Sequence, residues 1–91
     1  MDVTEAVQSA KDYVTDLFAA EKIRDVGLEE VDFDESQRVW NVTVGFARPW
    51  DDHGIRGIVR ASGAPLRTYK VVRVRDVDGV FLSVKHRNLG A

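Results

Sequence analysis

The 91-residue sequence predicts an α+β domain in which one N-terminal helix packs on a four-stranded antiparallel meander. Three observations carry this. Apolar residues first recur at helical spacing, the period then drops to two, and turn chemistry separates four strand-like runs. Asp2 and Glu5 stand as a helix N-cap and its reciprocal N3 carboxylate, each able to satisfy a free amide of the first turn. Val3, Ala6, Val7, Ala10, Tyr13, Val14, Leu17 and Phe18 follow at three- and four-residue intervals, predicting a helix over about 3–20. Gly27 suits the end of that helix or of the linker after it.

Val31 and Phe33 alternate with acidic neighbours, which predicts a first strand over about 29–34. Asp34-Glu35-Ser36-Gln37 is turn chemistry, and Trp40, Val42, Val44 and Phe46 then give a second strand over about 38–47 one strongly apolar face. The third strand spans about 68–77 with Val72 and Val74 inward. Asp78-Gly79 turns the chain into a fourth over about 80–87 with Leu82 and Val84 inward. A lone helix with one apolar stripe needs a sheet face to cover, hence two layers and a single domain over 1–91. A connection of about twenty residues, 48–67, joins the two hairpins and reads as a flap. A polar tail, Asn88 to Ala91, ends the sequence.

Charge is unevenly distributed. Through Glu35 there are eleven acidic residues against three basic ones, and from Ser36 onward ten basic against four acidic. If the halves pack together, part of this opposition is internal complementarity. A nucleic-acid binder would show a basic excess overall, whereas the net charge is −2. Cysteine is absent, which removes disulfides and thiolate metal sites. No apolar run approaches the length of a membrane span and no export signal opens the sequence, so the expected setting is cytoplasmic, without a membrane role.

Asp51-Asp52-His53 is the compact titratable cluster of the connection. Three adjacent side chains converge on a metal only through a special turn, so solvated turn chemistry explains them better. Gly54, Gly57 and Gly63 lack phosphate-loop spacing. The expectation is therefore no enzyme, no cofactor, no metal and no small-molecule substrate.

Strand parity places Val39, Asn41, Thr43, Val71, Arg73, Arg75, Phe81, Ser83 and Lys85 on the sheet face away from the helix. Valine, phenylalanine and arginine together on an uncovered face suit a protein interface, with a homodimer or another protein as partner. The flap adds Trp50 as an anchor and Arg48, Arg56, Arg60 and Arg67 as a basic rim. The candidate partner-binding set is thus Trp50, Arg48, Arg56, Arg60, Arg67, Val39, Val71, Arg73, Arg75 and Phe81. The same arginines could instead follow a nucleic-acid backbone, although few exposed aromatics interleave with them.

Helix, hairpin and then YKVVRVRDVDGVFLSVK resemble the PepSY-like family of small bacterial domains, in which a tyrosine-bearing strand reaches an Asp-x-x-Gly turn and a short final strand. That resemblance implies a non-catalytic regulatory or protein-binding module, often associated with proteases. The strand order is also similar to that of cystatin protease inhibitors without their first strand. Gln37 and Val39 match two positions of the cystatin Gln-x-Val-x-Gly wedge, while Asn41 stands where its glycine would be. Pro49-Trp50 lies outside the last hairpin, where cystatins carry Pro-Trp. A protease-inhibitor-like or immunity-type binding protein is the alternative this similarity implies.

Overall fold

The computed structural model describes residues 1–49 and 67–87. It has one N-terminal helix, α1 (Val3–Leu17), and an antiparallel sheet of β1 (Arg24–Asp34), β2 (Val39–Ala47), β3 (Thr68–Arg75) and β4 (Phe81–His86), in the order β1-β2-β3-β4. The α+β meander expected from the pattern is present. The Asp2–Glu5 capping box forms in both directions, with amide-to-carboxylate distances of 2.8 and 3.0 Å. α1 ends three residues before the predicted boundary, and Ala19–Glu21 tighten into a 3₁₀ turn closed by Lys22 in the left-handed region.

Ala6, Ala10 and Val14 form the buried stripe of α1 and sit on Val42, Val44, Phe46, Val72 and Val74. Alanines at the first two positions of that stripe, Ala6 and Ala10, let α1 lie close to the sheet, and the larger β2 and β3 side chains fill the remaining space. Tyr13, Phe18, Ile23, Val26, Trp40 and Val84 close the margins.

β1 and β4 depart from the sequence reading through β-bulges. β1 starts at Arg24, not at 29, and takes in Gly27, which pairs with Gly45. Asp25 adopts φ 56°, and pairing with β2 shifts register between Arg24 and Gly27 and again between Leu28 and Glu30. These interruptions erase the period-two signature that marks a strand in sequence. Gly45 is needed for a close approach, since a Cβ there would lie 2.9 Å from the Glu29 carboxylate and 3.0 Å from the Tyr69 ring.

The second difference lies in β4. Arg73 pairs with Ser83, yet Val74 pairs with Phe81, so Leu82 is one extra residue. A one-residue shift exchanges the faces of everything beyond it. Phe81 therefore turns toward α1 and stacks on Tyr13 at 3.9 Å between ring centroids. Leu82, expected inward, is 41% exposed. Val77 belongs to the turn and not to β3, and it is 82% exposed. That turn is longer than a two-residue Asp-Gly hairpin: the Gly79 amide donates to the Arg75 carbonyl, and Gly79 takes φ 71°.

Asp76, just after β3, ties the sheet to the start of the chain. Its carboxylate accepts the Trp40 indole N–H at 2.9 Å, and it lies 3.3 Å from the Met1 amine and 3.5 Å from the Arg38 guanidinium. The indole hydrogen bond above all holds the Asp76 pKa below the ordinary 3.8, with the amine and Arg38 adding to it. Asp34 is lowered by the Ser36 hydroxyl and the Gln37 amide, and Asp78 by the Arg75 guanidinium and the Val80 amide. A carboxylate with a depressed folded pKa takes up its proton more readily when unfolded. Its stabilisation is therefore whole above 3.8 and is lost as pH falls through the lower folded value. Asp76→Asn should lower stability at neutral pH and lose less on acidification than the parent does. Urea midpoints at about pH 6 and about pH 3 measure this, and equal losses in the two proteins would contradict it.

Candidate functional site

The sheet face away from α1 is covered by its own side chains. Asp32, Asn41 and Arg73 line up across β1, β2 and β3: the Asn41 amide donates to Asp32 at 2.9 Å, and Arg73 Nε donates to the Asn41 carbonyl oxygen at 3.3 Å. A second Arg73 nitrogen donates to Gln37. Arg87, just past β4, reaches over the sheet to the Thr43 hydroxyl at 2.9 Å and to Glu30 at 2.6 Å. Arg67 reaches the Asp25 carbonyl at 2.7 Å and lies 3.7 Å from Glu29. The acidic first half and the basic second half thus meet strand by strand across neutral β2. The charge opposition visible in the sequence is internal complementarity to this extent. Exposed pairs of this kind add little stability, but they occupy the arginines.

Several candidate partner-binding residues therefore stand differently from the sequence reading. Phe81 is not on this face but under Tyr13, because of the Leu82 bulge. Val39 is on it but only 2% exposed, and Val71 is half-buried. Arg73 is engaged as described, and Arg75 grips Asp78 through three contacts of 3.0–3.2 Å, which raise its pKa. Arg48 lies 3.1 Å from Glu21 and over the rings of Phe46 and Phe18, at 5.5 and 5.8 Å. Lys70 joins it above Phe18, and burial beside that ring, with Arg48 nearby, lowers the lysine pKa. Trp50, Arg56 and Arg60, like Asp51, Asp52 and His53, lie outside the described residues.

Among the described residues, an open apolar surface lies on the other layer, along the flank of α1 beside β1. Val3, Thr4, Val7 and Gln8 of the helix and Leu28 and Val31 of the strand line a groove of about 310 Å³. Val7 and Val31 are half-buried, while Val3 and Leu28 are each 45% exposed. The body of α1 lies over β1 and β2, and Tyr13 reaches across to Phe81 of β4; Val3, Val7, Leu28 and Val31 still leave the groove between helix and strand open. β1 is also an edge: among the described residues it pairs only with β2. The sequence reading missed this groove because Leu28 fell before the first strand as read. The signal was present in the spacing of Leu28, Val31 and Phe33, once a bulge is allowed between the first two.

Among the described residues, no three His, Cys, Asp or Glu side chains are grouped to hold a metal ion, and no helix is long and apolar enough to cross a membrane. No protein-family model matches the chain, and comparison with curated proteins and with solved structures returned no match.

Proposed function

We propose that the domain is a non-catalytic protein-binding module of PepSY-like type, with its main docking surface on the open α1–β1 side. The observation that carries this reading is the groove between Val3, Val7, Leu28 and Val31, an apolar surface with the polar Thr4 and Gln8 at its margin. Fully covering a side chain such as Leu28 contributes about 1.5–3 kcal/mol, so a partner that fills the groove gains enough from a few residues to bind. The sheet face is the weaker candidate. Its arginines already hold Asn41, Gln37, Asp78, Glu30 and Thr43, and a partner would have to displace those contacts. For the same reason no observation favours nucleic acid over protein.

The test compares two surface substitutions. Leu28→Asp places a charge at the mouth of the groove, whereas Val77→Asp changes an exposed residue in the β3–β4 turn. Neither removes core volume, so both proteins should melt close to the parent. Affinity capture from the native host, with the parent as reference, should lose its specific partner with Leu28→Asp and keep it with Val77→Asp. Retention of the partner by Leu28→Asp would overturn the groove as the docking surface.

A further inference from the structure

We infer that the groove takes an extended peptide segment that adds to the outer edge of β1 as a further strand and alternates aliphatic with basic residues. This rests on the protein-binding reading above and specifies what the site recognises. Three observations converge on it.

The first is the edge itself. From Glu30 to Asp34, β1 runs without a bulge, and its pairing with β2 is regular over those five residues. A strand paired on one side presents alternate N–H and C=O groups on the other, which is a template for main-chain pairing. The bulges nearer the N-terminus of β1 interrupt that template and confine an added strand to a short register.

The second is what lies above and below such a strand. Added next to β1, its side chains would alternate between the two faces of the sheet. Those on the α1 side enter the groove beside Leu28 and Val31, against Val3 and Val7. Aliphatic side chains suit that space.

The third is charge. The alternate side chains lie beside Glu30 and Asp32 on the opposite face. Glu30 already meets Arg87, but its side chain remains 54% exposed. Asp32 is exposed, accepts the neutral Asn41 amide, and has no cation within ion-pair distance among the described residues. Lysine or arginine at these positions completes the cross-strand pattern that Arg73 and Arg87 already begin. Opposite charges on adjacent strands attract and like charges repel. A second copy pairing through its own β1 would set Glu30 and Asp32 against acidic residues, so a basic segment of another protein is the occupant.

The probe is a fluorescent, end-blocked peptide of about eight residues alternating valine and lysine. Its anisotropy with the full chain should rise to saturation and fall off with added salt, and amide shifts should concentrate on Glu30 to Asp34. The matching valine–glutamate peptide should bind at least about tenfold more weakly, and Asp32→Lys should weaken the lysine peptide about fivefold. A lysine peptide N-methylated along one edge should not bind, because it cannot form the ladder. Equal binding of the methylated peptide, equal binding of the glutamate peptide, or no binding at all overturns the inference. So does self-association of the free chain through β1, seen by sedimentation. If the peptides fail while Leu28→Asp still removes the captured partner, the strand-addition inference falls and the groove reading stands. If Leu28→Asp spares both, both fall.

Discussion

Phe46→Ala should unfold the domain or leave it barely folded at 25 °C. Phe46 is fully buried on β2, packs at 5.4 Å against the Phe18 ring, and lies below the Arg48 guanidinium. Truncating a buried phenylalanine costs about 3–5 kcal/mol through lost transfer energy and the cavity left behind. A domain of this length holds only about 5–14 kcal/mol in total, so the loss is a large share of it. The cavity would open where α1 ends and β2 leaves the sheet, a margin held mainly by Phe18, Ile23 and Val26. Chemical denaturation of the parent and variant measures the change. A fall under about 1 kcal/mol would mean that Phe18 refills the space and that this end of the core is loosely packed.

Phe81→Asp separates the two placements of that residue. On the uncovered face, where strand parity put it, aspartate would be tolerated and only association would suffer. Stacked on Tyr13 beneath α1, the carboxylate instead loses an aromatic pair and apolar burial, and meets desolvation. A loss of about 2–4 kcal/mol is expected, with Phe81→Leu costing about 1 kcal/mol. Thermal melts of the two variants decide it. A Phe81→Asp protein as stable as the parent would place the ring in solvent and contradict the Leu82 bulge.

The layered plan was legible in the sequence because it rests on periodicities. The Val3–Phe18 stripe has the helical period, and Trp40, Val42, Val44 and Phe46 have the strand period, so each apolar set lands on one face without further information. The capping pair was legible for the same reason: Asp2 and Glu5 act locally, within one turn. Bulges were not legible. An extra residue in a strand is chosen by the fit of the whole sheet, and here the left-handed position in β1 is Asp25, with no glycine to mark it. Val80, Phe81 and Leu82 did hold a clue, since three consecutive apolar residues cannot all obey alternation. The site followed the same division. The arginines on β3 were placed on the correct face, but their partners depend on register, which composition does not reveal. The groove was hidden because one wall, Leu28, belongs to a strand that begins earlier than its period-two pattern.

The Leu82 bulge also affects how copies of this domain could stack. It disturbs the first half of β4, leaving a regular run only from Ser83 to His86, with Lys85 pointing to the face that Arg87 crosses. A bulged, short and basic rim is a poor template for another strand. The regular part of β1 at the opposite rim is longer and acidic. The sheet therefore has one receptive rim and one blunted rim. Growth of an assembly by repeated strand addition needs both, because each newcomer must offer the next a place to join. A domain built this way can accept a single strand and then stop, which favours a finite complex over a fibre.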